Sequence, residues 1–382
     1  MLHTRRARPL AALTLAASLL AGCGPNIPST LKIGVAQPLS GPSADRGQDL
    51  LNGVTLAVKE LNASGYKIAG KPVTLEVVAV DDRADAQTAR QVAQQLVDQK
   101  VVAVIGHLSS DITEATIPIY RQGGVPQLFT SSAVELTQQG QGNAFRLVAH
   151  DALQAQALAT YAAGTLKAGR VAILYENTAF GTPMNRDVTA ALKKQGRAVA
   201  LSEAVDNKGT DFAAFVGKLK ASPPDALIAI VREHQLLPLF EQMRAAGLSG
   251  LPVLATSVAK TRKVLTAPPD VKQLYLTSSA LTSKEFTAGA AFNTRFRAAY
   301  NADPVWAAHY AYDAVFVLAD ALRATDSADP QKLREKLHTI DANAPVTNHM
   351  RFDAAGEQAY ATVTVYQRRG DEWETMVRSD KW

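Results

Sequence analysis

The stretch Val101-Val102-Ala103-Val104-Ile105-Gly106-His107-Leu108-Ser109-Ser110 decides the fold. Its first half is almost purely β-branched and apolar, as expected of a strand buried on both faces of a parallel sheet. Its second half is a small, hydroxyl-bearing turn that opens a helix. Parallel strands need crossover helices, and the flanking sequence supplies them. Residues 31–36 and 73–80 read as strands. Between them, Leu50, Val54, Ala57, Val58 and Leu61 recur on one face of a helix over 47–62. A helix over 86–99 leads into the central strand, and another strand follows at 125–129. These βαβ units predict a doubly wound parallel sheet.

The pattern then restarts. Strands are expected at 171–175, 198–204, 226–231, 252–255 and 274–277, alternating with helices at 182–195, 210–221 and 236–246. Two further helices, 288–300 and 305–324, come next. The chain closes with strands 361–367 and 372–377 around the turn Arg368-Arg369-Gly370-Asp371. A length of 382 residues favours two cores over one. With no Pro/Ser-rich linker between the halves, the chain is expected to pass between two α/β lobes more than once.

The N-terminus carries a different signal. Residues 1–9 are basic, and 10–20 form an apolar run too short to span a bilayer. Leu20-Ala21-Gly22-Cys23 follows, with the only cysteine in the chain. This resembles a bacterial lipobox, which implies a signal peptide over 1–22, lipid attachment at Cys23 and a tether over 23–30. The formal charge is +5, and about +2 without Arg5, Arg6 and Arg8, so nothing suggests a nucleic-acid partner. A lone cysteine excludes disulfides and Cys-based metal clusters. No phosphate loop, dinucleotide fingerprint, G-x-S-x-G elbow or paired metal-ligand histidines occur. Enzyme, cofactor and metal are therefore not expected. Asp81, Asp82 and Asp85, at a strand end before a helix, read as caps.

Ligands of open α/β sheets bind at strand C-termini. Ser109-Ser110 and Thr130-Ser131-Ser132-Ala133 are hydroxyl-rich turns at two such ends. Helix N–H groups with a serine hydroxyl suit a carboxylate. His107, between strand and turn, reads as a hydrogen-bonded structural histidine.

An ordered set of motifs resembles the leucine/isoleucine/valine-binding family of solute-binding proteins of ABC importers. It comprises Pro38-Leu39-Ser40-Gly41, Gly47, Leu61-Asn62-Ala63-Ser64-Gly65, Asp81-Asp82, Val104 to Ser110 and Glu135-Leu136-Thr137. It continues through Ala172-Ile173-Leu174-Tyr175-Glu176, Phe180-Gly181, Thr210-Asp211-Phe212, Arg244-Ala245-Ala246-Gly247-Leu248 and Tyr310-Ala311-Tyr312-Asp313-Ala314. The resemblance implies a type I periplasmic-binding fold: two doubly wound parallel-sheet lobes joined by a three-crossover hinge. Lobe 1 would hold 31–147 plus 278–342, and lobe 2 would hold 148–277 plus 343–382. It implies a periplasmic or cell-surface lipoprotein, monomeric, that passes an amino acid or small carboxylate to a membrane permease. A ligand-sensing module of the same fold, for an amide or other small polar metabolite, is the alternative.

Carried onto this chain, the family pattern gives Ser110 the ligand carboxylate. Ser131 or Ser132, with Ala133, supplies further contacts, since that stretch is one residue shorter than usual. Phe180 covers the ligand from the other lobe. Three positions depart from the amino-acid pattern: Thr256 where an acid is common, Arg232 where an aromatic is common, and Arg46 in the first turn. A lost anion and two added cations point to a more acidic ligand than leucine, with Asp45 or Glu233 available for an ammonium.

Overall fold

The computed structural model describes residues 27–267 and 271–381. The signal segment and Cys23 lie outside them. Of the expected tether, Ile27 packs into the first core and Thr30 already begins a strand.

The first half folds as β1 (Thr30–Gln37), α1 (Ala44–Ala63), β2 (Thr74–Asp81), α2 (Ala86–Asp98), β3 (Ala103–Gly106), α3 (Ser110–Gln122), β4 (Gln127–Phe129) and β5 (Ala144–Arg146). These strands form a parallel sheet in the order β2-β1-β3-β4-β5. All four residues of β3 are buried, because helices cover both faces of the sheet. Of the three acids only Asp85 caps a helix, Asp81 serves the neighbouring turns, and Asp82 is buried against His107. Asp85 accepts from the Thr88 N–H at the start of α2, and Asp81 accepts from the N–H groups of Leu39 and Arg83.

The second half runs through α4 (Asp151–Thr160), β6 (Arg170–Glu176), α5 (Gly181–Lys194), β7 (Ala198–Val205), α6 (Ala213–Ala221), β8 (Ala226–Ile230), α7 (Glu233–Ala245), β9 (Val253–Ala255) and β10 (Leu274–Ser278). Its core lies in two clusters, one on each face of the sheet. β8 is buried at every position, while the edge strand β7 alternates between exposed and half-buried residues.

The chain then returns to the first lobe with α8 (Gly289–Tyr300), α9 (Ala308–Thr325), α10 (Pro330–Leu337) and the hairpin β11 (Asp341–Ala344) and β12 (Asn348–Arg351). Ile340, Ala342, Val346, Met350 and Phe352 share a core with Leu50 and Val54 of α1. Residues 343–352, expected in lobe 2, therefore pack on lobe 1, because this hairpin buries its apolar face under α9. The last passage follows Phe352, and β13 (Thr364–Arg369) and β14 (Glu372–Arg378) join the second sheet. That sheet has the order β14-β13-β10-β9-β8-β6-β7, parallel except that β13 runs antiparallel to both its neighbours. The result is the two-lobed α/β architecture with three crossovers.

One helix begins later than its apolar pattern. The reading from 305 gives way to a start at Ala308, because the Asp49 carboxylate of α1 takes the N–H groups of Val305, Trp306, Ala307 and Ala308 at 2.7–3.0 Å. Those residues approach as a loop capped from another helix, and only then does α9 begin. Similarly, α6 starts at Ala213 rather than 210, with the Phe212 N–H held by the Gln242 side chain.

Candidate functional site

β3 and β4 end side by side, and their C-terminal turns meet in a cleft between the lobes. Ser110 begins α3, whose first N–H groups have no partner within the helix and receive no cap from the Ser109 side chain. The Ser110 hydroxyl lines the cleft and accepts a 3.3 Å hydrogen bond from the Ala133 N–H, joining the two turns.

Ser132 lines the cleft, whereas Ser131 turns inward and donates to the His107 carbonyl at 3.1 Å. Ala133 is buried behind the wall. Holding this turn in shape is Arg146, at the end of β5. It is fully buried and donates to the carbonyls of Ser131 (2.6 Å) and Ala133 (2.7 Å), while Glu357 of the last crossover balances its charge at 2.9 Å. Beneath the Ser110 turn, His107 is also fully buried, with Nδ1 2.6 Å from Asp82 Oδ2 and Nε2 3.2 Å from the Tyr120 hydroxyl. Both of its nitrogens are occupied within the fold, so it supports the turn rather than facing the cleft.

From the second lobe, Phe180 lines the cleft just ahead of α5. Arg232 lines it too, but its guanidinium is already engaged. Nη1 meets the buried Glu176 carboxylate and Nη2 lies 3.4 Å from Asp111. The Arg232 N–H also donates to Glu176 Oε1 at 3.0 Å. Burial pushes the Glu176 carboxyl up, and Arg232 opposes that shift. Arg232 thus lines the cleft as a cation balanced by Glu176 and Asp111. Thr256 is fully buried with its hydroxyl unpaired, and Ser257, Val258 and Thr261 form the wall in its place.

Arg46 differs from Arg232. It is 8% exposed and lines the cleft, its guanidinium carbon 3.9 Å from the centre of the Trp306 ring. Burial pulls it down to about 9, partly offset by Asp49, so it remains a cation at neutral pH. Trp306, just ahead of α9, was not legible as a site residue. Nothing in its local sequence distinguishes it from a core aromatic, and only the Asp49 cap brings it against Arg46. Asp45 and Glu233 also line the cleft, with Glu233 3.4 Å from Lys263.

Among the described residues no group of three His, Cys, Asp or Glu side chains could hold a metal ion, and no helix is long and apolar enough to cross a membrane.

Comparison with known proteins agrees with this architecture. The family model described as Periplasmic binding protein matches residues 30–372. An amino acid binding protein of Pseudomonas aeruginosa is 29% identical over 361 residues, covering 93% of this chain and 94% of its own. The Leu/Ile/Val-binding protein of Escherichia coli is 30% identical over 238 residues, 60% of this chain and 64% of its own. Among solved structures, the branched-chain amino acid transporter substrate binding protein LivJ of Streptococcus pneumoniae, in complex with isoleucine, superposes with a TM-score of 0.81. It is 26% identical and covers 91% of this chain and 99% of its own. An ABC-transporter solute binding protein of Rhodopseudomonas palustris, in complex with 3,4-dihydroxybenzoic acid, shares the fold at a TM-score of 0.80 and 20% identity, covering 92% and 97%. The chain belongs to the periplasmic binding protein family, whose members bind solutes rather than transform them.

Proposed function

We propose that the protein is the extracytoplasmic receptor of an ABC importer, held at the membrane by a lipid on Cys23, and that it binds an amino acid or related small carboxylate between its lobes. The observation that carries this reading is Ser110 at the uncapped N-terminus of α3, facing the cleft with Ser132 beside it and Phe180 across from it. Unpaired helix N–H groups and two hydroxyls present donors to an anion without requiring a metal or a strong base. The names of the relatives support the same class, since they include amino-acid and benzoate-type ligands.

In this reading the ligand docks on the first lobe through Ser110 and Ser132. Phe180 and the turn around Ser257 then close over it, and a membrane permease recognises the closed form. Contacts made only in the closed state set the population shift.

Isothermal titration with a panel of amino acids and small carboxylates tests the proposal. A carboxylate should bind, and Ser110→Ala should weaken it at least tenfold, the equivalent of about 1.5–3 kcal/mol for a hydrogen bond to a charged group. Absence of binding across the panel, or a Ser110→Ala variant with undiminished affinity, would refute it. Radiolabelled palmitate incorporated by the wild type and lost in Cys23→Ala is the expected result for the anchor.

A further inference from the structure

Two buried cations, Arg46 in the cleft lining and Lys260 behind the wall formed by Ser257, Val258 and Thr261, have no carboxylate within ion-pairing distance among the described residues. Neither the Arg46 Nε nor the indole Nε1 of Trp306, against which it lies, has a hydrogen-bond partner. Lys260 follows the Ser257–Ala259 turn, of which Ser257 and Val258 line the cleft, but is itself buried behind that lining at 3% exposure, and its Nζ has no partner. The ammonium lies 4.2 Å from the centre of the Tyr366 ring.

The acids nearest these cations are committed elsewhere. Asp49 accepts four backbone N–H groups ahead of α9, and Glu285 accepts from the Thr282 N–H at 2.9 Å and from the Tyr366 hydroxyl. Among the described residues neither cation has a carboxylate within ion-pairing distance, whereas Arg232 has two. Removing a charge from water without a partner is costly, and an anion bound beside these groups would offset that cost.

We propose that Arg46 and Lys260 form a second anion subsite, so that the ligand is a small dianion, a dicarboxylate or an acidic amino acid. The inference rests on the carboxylate reading of Ser110: one carboxylate goes to the α3 N-terminus and the other to the two cations. Trp306 holds the Arg46 fork flat, and three donors (Arg46 Nε, Trp306 Nε1 and Lys260 Nζ) gain an acceptor that the fold itself does not provide. Asp45, which lines the cleft without an ion-pair partner among the described residues, would accept the ammonium of an acidic amino acid. Burial lowers Lys260 to about 7, with Arg46 adding to the shift and Glu285 and Asp49 opposing it. An arriving anion favours the charged form, so ligand binding near pH 7.5 should take up a proton.

Titration of the full processed protein with succinate, L-glutamate, L-leucine and benzoate decides the matter. Succinate or L-glutamate should bind at least tenfold more tightly than either monocarboxylate. A preference for L-glutamate over succinate would add Asp45 to the subsite. Arg46→Gln and Lys260→Met should each reduce the ratio of dianion to monocarboxylate affinity at least tenfold. The proton taken up, read from titrations in buffers of different ionisation enthalpy, should disappear in Lys260→Met. An unfolding midpoint measured without ligand confirms that each variant is folded. Equal binding of dianion and monocarboxylate, with a ratio unchanged in Arg46→Gln, would overturn the second subsite and leave the Ser110 reading standing. No binding of any of the four acids to the wild type would remove both.

Discussion

At the scale of single residues, the Lys260 ammonium lies over the Tyr366 ring and feels the charges of Glu285, Arg46 and Asp49, with burial the largest influence on it. Its value falls from the ordinary 10.5 to about 7. The unfolded chain therefore holds more protons between those limits, and the contribution of Lys260 to stability rises with pH across that window. Below pH 7 the penalty is fully present. Lys260→Met removes it, so without ligand the variant should melt several degrees above the wild type at pH 7. The gap should narrow steadily towards pH 10.5, as scanning calorimetry over that range would register. A gap independent of pH would mean that packing, not charge, limits stability there. Arg232 illustrates the complementary point. Its sequence position marks an unusual cation at the cleft, but its partners, Glu176 and Asp111, are 56 and 121 residues away, and no local pattern announces them. Arg146, which shapes the ligand-facing turn, was missed for the same reason: β5 is too short, and its partner Glu357 too distant, for a sequence signal.

At the scale of elements, α1 and α9 pack so closely that a Cβ on Gly53 would stand 2.1 Å from the Ala308 carbonyl oxygen. Helix propensity alone would favour Gly53→Ala by about 1 kcal/mol. Overpacking against a backbone atom costs about 1–3 kcal/mol and cannot be relieved by a rotamer change. The collision should win, because the same contact sets how Asp49 caps the loop ahead of α9 and where Trp306 presents Arg46. Gly53→Ala should therefore lower stability by about 2 kcal/mol in urea denaturation, and a stabilised variant would contradict the packing argument. Most elements were legible in the sequence, since β3, β8 and α1 carry unbroken burial or clear periodicity. The misreadings fell where a distant group overrides local pattern: the start of α9, the start of α6 and the hairpin β11–β12.

At the scale of the molecule, Asp111 holds two polar links between the lobes. From the first turn of α3 it accepts from the Ala179 N–H at 2.8 Å and faces Arg232 at 3.4 Å, both on the second lobe. Both contacts run between the lobes, so under the proposed hinge closure they would add to the differential affinity for the closed form. Asp111→Ala leaves Ser110 and Ser132 in place yet removes both links. About 1.4 kcal/mol of closed-state stability corresponds to roughly tenfold in affinity. The variant should bind its ligand about tenfold more weakly, and small-angle scattering at saturating wild-type ligand concentrations should show a larger radius of gyration. An unchanged radius and affinity would place the closing contacts elsewhere.

The sequence by itself determined that the chain builds two parallel α/β lobes and that hydroxyl-bearing turns end β3 and β4, because burial periodicity and turn chemistry are local properties. It also carried the order of motifs that assigns the family. Tertiary structure alone decided which hydroxyl faces the cleft, which cations are neutralised and where the last crossover leaves the first lobe. Each of those depends on groups far apart in the chain, such as Arg146 against Glu357, Arg232 against Glu176, and Asp49 against the loop before α9. A charge reveals its role only when its partner, or the lack of one, is in place around it. That is why Arg46 and Arg232 look alike in the sequence and differ in the fold.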